Sequence, residues 1–415
     1  MAKLGEEALD WNERANILRA TFTPAAPVTN KDLFAGRVNQ LVRLWDTIQS
    51  AGEHGAVFGE RGVGKTSLAR NAEAMAVMSG CVALRINCQA NDAIQDIWRR
   101  ISAALDRQIE LQRAGPSRPG ASSAILQRAS ELMVLPGNHE VLLGLEVIST
   151  EAPVVIFLDE YDRVGDGQVE TDLVDIMKTV ADQGLPVTIV IVGVAADVDA
   201  LITEHESIGR GFNEIEMPRM SVDELRDVVK RGLEPAGMTT DDDAATFIAQ
   251  LSIGLPHYAH LMGLHAGLVA TAAESLNVES VHVLAALPSA VERAQQHVSR
   301  LYHEAVHSTR TNMYSEVLLS AALTPTDERG YFAPGDMREP LSTIVGRPMN
   351  IPAFANHLSQ FATDRGPVLE RSGKNRRPRY RFTEPLLIPY VTMRSVKDGL
   401  ITATAMRSLL SRRYG

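Results

Sequence analysis

Short apolar runs separated by amphipathic stretches lay out the first half of the chain. Ala56-Val57-Phe58, the stretch Cys81–Cys88 (CVALRINC), Val154-Val155-Ile156-Phe157-Leu158, Val187–Val192 (VTIVIV) and the pair Ile215 and Met217 read as strands. The unbroken apolar character of Val154–Leu158 and Val187–Val192 is that of strands covered on both faces. Leu68, Ala72 and Met75, at i, i+4 and i+7, predict a helix over Thr66–Met78. Residues 92–108 read as helix, and 121–150 as helix broken at Pro136-Gly137, with no job assignable to the latter. Leu173, Ile176, Met177 and Val180 predict another helix, and Leu41, Leu44, Trp45 and Ile48 one ahead of the first strand. Strands alternating with helices to about residue 219 predict a parallel sheet with helices on both faces and ligands at the carboxyl ends of the strands.

After Pro218 the pattern is helical. Ser221 with Glu224 forms a capping box, Asp241-Asp242-Asp243 opens a second helix, and Gly254-Leu255-Pro256-His257 ends one helix and starts the next. Helix then continues, with breaks, to about Ser308. A last unit begins near Thr309, with a helix over Tyr314–Leu323. A further helix over Pro352–Phe361 carries Phe354, Leu358 and Phe361 on one face, with Asn356, His357, Ser359 and Gln360 off it. A hairpin follows, Val368–Arg371 and Arg379–Phe382 around Ser372–Pro378. At the other end, Gly5–Ala20 reads as a short helix and Thr21–Pro27 as an extended approach. The expected division is an N-terminal segment (1–30), a sheet core (31–219), a helical domain (220–308) and a C-terminal module (309–415).

The 415 residues, 45% hydrophobic and 22% charged, have the composition of a globular protein of two or three domains. With no apolar leader and no run of about 20 apolar residues, the expectation is a cytoplasmic protein without a membrane partner. The two cysteines, Cys81 and Cys88, share one strand-like stretch, which points away from a disulfide framework or a cysteine zinc site. The net charge of −10 is uneven: Gln360–Gly415 holds twelve Lys/Arg against four Asp/Glu. Any contact with nucleic acid is therefore expected there, although a solvated basic tail has the same composition.

The chemistry concentrates in His54–Ser67. Gly59-Glu60-Arg61-Gly62-Val63-Gly64-Lys65-Thr66, followed by Ser67, matches the phosphate loop G-x-x-x-x-G-K-[ST] between an expected strand and an expected helix. Glycines let backbone N–H groups turn in on a phosphate, and the helix start adds partial positive charge. Lys65 supplies a point charge for the terminal phosphates and Thr66 a hydroxyl for Mg²⁺. The strand Val154–Leu158 ends in Asp159-Glu160, the acids such a loop requires. Asp159 is expected to face the metal opposite Thr66, and Glu160 to activate the attacking water. Asp162 reads as a local cap or turn residue. Helices followed by a basic hairpin read as a winged helix-turn-helix, with helix 352–361 in a DNA groove and Lys374, Arg376, Arg377 and Arg379 on phosphates. Packing of the same module on a protein, or on its own ATPase, fits equally.

Taken together, the motifs resemble P-loop ATPases of the AAA+/STAND group, among them archaeal-type ATPases and replication-initiator-like AAA+ proteins. The matching residues are Phe34-Ala35-Gly36-Arg37, Gly59–Thr66, Val154–Glu160, Ser207-Ile208-Gly209-Arg210, Gly254-Leu255-Pro256-His257 and Tyr380–Leu386. The resemblance implies an α/β P-loop fold with sheet order 5-1-4-3-2, a helical lid and a C-terminal winged helix. It implies ATP and ADP as ligands, Mg²⁺ as cofactor and a homo-oligomer. Arg210 would be the arginine finger, with Arg219 as runner-up. Arg37 would lie near the adenine, and Pro256 and His257 would sense nucleotide from the lid. Val194-Ala195-Ala196 lacks the polar sensor such ATPases often carry, which favours a slow switch over a fast motor. The expected function is an ATP-hydrolysing switch with nucleotide-dependent assembly, acting on DNA through its winged helix. The alternatives are a DNA-binding initiator or adaptor in which nucleotide only sets assembly, and a signalling or defence ATPase held off by its winged helix, with a protein partner.

Overall fold

The computed structural model describes residues 9–23, 36–114, 121–165, 167–195, 198–202, 209, 211–309, 312–327, 329–373 and 377–414. They fall into two compact units. One is the described part of Pro27–Pro218; the other joins the described part of Met1–Ala26 to that of Arg219–Gly415.

The chain opens with α1 (Trp11–Thr21). This helix starts at Trp11, where Asp10 caps it: the Glu13 N–H donates to Asp10 Oδ1 at 2.7 Å and the Asp10 N–H to Glu13 Oε2 at 2.9 Å; residues 5–8 of the expected Gly5–Ala20 helix lie outside the described residues. Thr21, expected to be extended, is its last residue; residues 24–27 of that expected approach lie outside the described residues. Phe22 then fills a slot that two glycines leave open, since a Cβ on Gly232 or Gly263 would lie 2.2 or 2.7 Å from its ring. Arg14 donates to the Ala236 carbonyl. These contacts are why the N-terminal helix belongs with the distant helical unit.

The sheet unit runs α2 (Val38–Gln49), β1 (His54–Gly59), α3 (Lys65–Met78), β2 (Val82–Asn87), α4 (Ile94–Ala114), α5 (Ser123–Met133), α6 (Asn138–Ser149), β3 (Val154–Asp159), α7 (Gly167–Gln183), β4 (Val187–Val194) and β5 (Phe212–Glu216). All its strand pairs are parallel, in the order β2-β3-β4-β1-β5. Read from the β5 edge this is the expected 5-1-4-3-2. β3 is buried along its whole length, whereas β2 alternates as a sheet edge does. β1 begins two residues earlier than its apolar run, at His54. That imidazole tolerates full burial because its Nε2 hydrogen-bonds the Met177 carbonyl at 2.8 Å and its Nδ1 accepts from the Ile189 N–H at 3.0 Å.

In the helical unit come α8 (Val222–Leu233), β6 (Thr239–Thr240), α9 (Asp242–Ser252), α10 (Pro256–Ala272), β7 (Asn277–Val278), α11 (Ser280–Arg293), α12 (Gln296–Val306), α13 (Tyr314–Leu323), α14 (Arg338–Val345), α15 (Ile351–Phe361), β8 (Leu369–Ser372), β9 (Arg379–Phe382), α16 (Leu387–Lys397) and α17 (Ala403–Tyr414). Ser221 and Asp241 cap α8 and α9 as expected, and Phe354, Leu358 and Phe361 are the buried face of α15. β8 and β9 pair antiparallel, and Phe332 exchanges two backbone hydrogen bonds of 2.9 Å with Tyr380 beside them. The short parallel pair β6–β7 and helices α14, α16 and α17 are additions to the sequence reading. Among the described residues no helix is long and apolar enough to cross a membrane.

Burial pushes His54 down to about 4, against the opposing bond to Met177, and pushes His260 in α10 down to about 4 as well, with His257 adding to the shift. In the unfolded chain each imidazole binds its proton near pH 6.5. Both groups therefore leave folding unopposed above pH 6.5, and stability is lost as pH falls toward 4. Each contributes a loss of about 2 kcal/mol by pH 5. Urea titrations at pH 7 and pH 5 should show a smaller acid loss in His54→Leu than in wild type; equal losses contradict this.

Candidate functional site

The loop after β1 is shaped by backbone that only glycine adopts cheaply. Gly59, Gly62 and Gly64 have φ of 147°, 87° and 100°. Gly64 caps α3, so Lys65 and Thr66 form the first turn of a 14-residue helix with their N–H groups at its positive end. Gly59 also sits against the chain leaving β5: a Cβ there would lie 2.4 Å from the Met217 carbonyl oxygen. Lys65 Nζ donates to the carbonyls of Gly59 at 2.9 Å and Glu60 at 2.7 Å. Burial lowers the Lys65 ammonium to about 8, with Asp162, Asp159 and Glu60 pulling the other way. Val63 is buried beneath the loop, Arg61 is exposed, and Glu60 and Ser67 are half-buried. Arg37, at the start of α2, is buried and donates to the carbonyls of Val63 at 3.4 Å and of Pro218. It braces the loop against the chain that leaves the sheet.

Asp159 ends β3 with only 3% of its surface exposed. Its Oδ1 accepts from the Thr66 hydroxyl at 3.3 Å and from the Glu160 N–H at 3.0 Å, while Arg85 Nη1 lies 3.9 Å from Oδ2. Burial raises its carboxyl, opposed by Thr66, the Glu160 N–H and Arg85. Glu160 is in the left-handed region, φ 57° and ψ 34°, a cost for a residue with a Cβ. Its carboxylate, about half exposed, pairs with Arg163 at 2.8 Å. Asp162 has the local role its sequence suggested: Oδ1 accepts from the Val194 N–H at 2.8 Å and ties the turn after β3 to the end of β4. Gly193 makes that approach possible, because a Cβ there would meet Asp162 N at 3.1 Å.

A hydroxyl and a carboxylate in contact are hard oxygen donors of the kind magnesium takes. Among the described residues no group of three or more His, Cys, Asp or Glu could hold a metal by itself. The pair Thr66–Asp159 offers two such oxygen donors in contact, as would fit an ion shared with phosphate oxygens.

The other expected site residues belong to the helical unit or lie outside the described residues. Arg210 lies outside the described residues, as do Lys374 and Arg376. Arg219 belongs to the helical unit, where it donates to the Ile253 carbonyl at 3.2 Å. Pro256 opens α10 and His257 packs edge-on against Tyr258 at 5.1 Å, also in the helical unit. Arg377 is exposed at the hairpin loop, but Arg379 pairs with Asp327 at 2.9 Å. Its neighbour Arg381 pairs with Glu370 at 2.6 Å. On α15, Gln360 accepts from the Tyr314 hydroxyl and His357 packs on the Tyr314 ring, so Ile351, Pro352, Ala353, Ala355 and Asn356 form its exposed face. The basic tail is folded as α17: Arg407 reaches Ser280 and the Phe247 ring, Arg412 pairs with Glu339, and Arg413 donates to the Ala322 carbonyl. Arg85 was missed by sequence reasoning. The available signal was a single cation inside an otherwise apolar strand.

Residues 33–191 match the family model described as AAA ATPase domain, less than half of the chain. No curated protein matches the sequence. Among solved structures, the Walker-type ATPase PABY2304 of Pyrococcus abyssi is similar at a TM-score of 0.54 and 14% identity, over 89% of this chain and 99% of that one. The Orc1 protein of Aeropyrum pernix, solved in complex with DNA, scores 0.44 at 17% identity over 94% and 98%. The RuvB Holliday junction branch migration motor of Thermotoga maritima scores 0.44 at 16% identity over 89% and 96%. At these identities the first likeness speaks for the fold alone, and the fold is that of P-loop nucleoside triphosphatases.

Gly59→Ala is expected to cost at least about 2 kcal/mol, since it combines a strained φ with a clash against backbone. Urea unfolding that matches wild type would contradict the described loop.

Proposed function

We propose that the chain is an ATP-binding and ATP-hydrolysing switch that assembles according to its bound nucleotide. The observation that carries this reading is the contact between Thr66 at the start of α3 and Asp159 at the end of β3, beside a glycine-shaped loop and a buried lysine. Strand ends and a helix start converge there on one anion-seeking spot. Phosphate oxygens offer Lys65 Nζ a charged acceptor in place of two loop carbonyls. The loop N–H groups from Gly59 to Ser67 line the phosphates, and Thr66 and Asp159 hold Mg²⁺. That ion, when bound, neutralises charge on the phosphates. Glu160 orients the attacking water and takes its proton, which requires its carboxylate to leave Arg163. The pairing with Arg163 is half exposed, so the change is inexpensive. Arg37 fixes the loop beside the base, while Pro256 and His257 report nucleotide state. Arg210, or else Arg219, completes the site of a neighbouring subunit.

For the C-terminal module we propose a winged helix: α13, the bridge at Phe332, α14, α15 and the β8–β9 hairpin follow one another in the order such modules use. Its DNA contact would be the exposed start of α15 together with Lys374, Arg376 and Arg377 at the hairpin loop. The pairing of Arg379, Arg381 and Arg412 with acids inside the module favours a second reading, in which the module docks on protein and restrains the ATPase.

Two measurements test this function. Lys65→Ala should abolish ATP binding in calorimetry, whereas Glu160→Gln should keep binding and lose turnover by about 10²-fold or more. Hydrolysis by Glu160→Gln at the wild-type rate would remove Glu160 from the base role. For the module, Arg376→Ala/Arg377→Ala should weaken duplex DNA binding and lower its log–log salt slope by about 2. An unchanged slope leaves the protein-docking reading.

A further inference from the structure

We propose that Arg85 is a positioning residue for the metal-facing carboxylate of Asp159, so that Mg²⁺ is held in one geometry and only together with nucleotide phosphates. This rests on the nucleotide reading above and goes beyond it by assigning a role to a residue outside the loop and the acid pair.

The sheet puts Arg85 in reach. β2 and β3 pair in parallel with Arg85 opposite Phe157 and Asn87 opposite Asp159, so these four share one face of the sheet. Val82, Leu84 and Ile86 take the other face into the core. On the shared face Arg85 Nε donates to Glu73 Oε2 of α3 at 2.8 Å, and Nη1 lies 3.5 Å from Asn87 Oδ1 and 3.9 Å from Asp159 Oδ2. The guanidinium is planar: Nε engages Glu73, while the Nη1 edge, on Asn87 Oδ1, faces Asp159 Oδ2.

Arg85 could simply bolt β2 to α3. Burial argues for more. The Glu73 side chain is 27% exposed and retains water, while that of Asp159 is 4% exposed and cannot be left without charge and donors nearby. The two oxygens of Asp159 are also divided. Oδ1 takes the Thr66 hydroxyl and the Glu160 N–H, and Oδ2 faces Arg85. With a fixed cation beside Oδ2, the carboxylate resists rotation and does not chelate a metal through both oxygens. Oδ1 stays turned to Thr66, where the phosphates arrive. Lys65, the other cation close by, is committed to the loop and the phosphates. Arg85 therefore acts as the outer partner that orients a metal ligand.

The test uses the full chain and a non-hydrolysable ATP analogue, with Kd measured in Mg²⁺ and in EDTA. Arg85→Met keeps the stem and removes the fork. It should cut the Mg²⁺ enhancement of analogue affinity by about tenfold or more while leaving the EDTA value near wild type. Glu73→Leu removes the acceptor on α3 but leaves Arg85 on Asn87 beside Asp159, and should keep the enhancement within about twofold. Arg85→Lys should restore part of what Arg85→Met loses, because charge returns without the fork. Preserved enhancement in Arg85→Met overturns the inference, as does an equal loss in Glu73→Leu. Should Arg85→Met fail to fold, Arg85→Lys decides: full wild-type enhancement there overturns it. If wild type does not bind the analogue, or Lys65→Ala binds it equally well, the nucleotide reading itself fails and this inference falls with it. Loss confined to the Arg85 claim leaves that reading intact.

Discussion

A carboxylate almost wholly out of water has to be matched by donors and charge, and Asp159 is matched from three directions. The Thr66 hydroxyl reaches it from the start of α3, the Glu160 N–H from the following residue, and the Arg85 guanidinium from the neighbouring strand. Each match needs a different part of the fold in place. Thr66 arrives only if the loop after β1 turns sharply enough to start α3 beside β3. Arg85 arrives only if β2 pairs with β3 in the observed register. The cost of burying one charge thereby makes the site depend on the order of the sheet.

The loop meets the opposite problem. Lys65 is a buried cation held on two carbonyls, and burial lowers the proton affinity of its ammonium. A cation so placed gains from an anion more than an exposed lysine would, because little water competes. The left-handed glycines and the brace from Arg37 set the shape of the cradle. In the proposed reading, charge neutralisation and alignment of groups are what such a site contributes to phosphoryl transfer.

The parts legible in sequence are those in which residue type and spacing state the physics directly. Continuous apolar runs gave the buried strands, and the fixed residues of the loop and Asp159 marked two segments that the fold brings into contact at Thr66. The face Phe354, Leu358, Phe361 marked α15, and Ser221 and Asp241 marked two helix starts. What escaped depends on partners far along the chain. His54 looks polar, yet it belongs to β1 because Met177 and Ile189 satisfy both ring nitrogens. Phe22 lies beyond a helix that seemed peripheral, and only the gaps at Gly232 and Gly263 show where it goes. Arg85 is an ordinary strand residue until register sets it beside Asp159. The tail arginines Arg407, Arg412 and Arg413 read as a basic extension because a sequence does not show that Ser280, Glu339 and the Ala322 carbonyl already engage them.

The central claim is that a triphosphate and its metal occupy the space between the loop ending at Lys65 and the carboxylate of Asp159. A crystal structure of the full chain with Mg²⁺ and a non-hydrolysable ATP analogue tests it most directly. The account predicts phosphates cradled by the N–H groups of residues 59–67, with the metal between Thr66 and Asp159. Electron density for the analogue elsewhere, with Lys65 still on the Gly59 and Glu60 carbonyls, would contradict it.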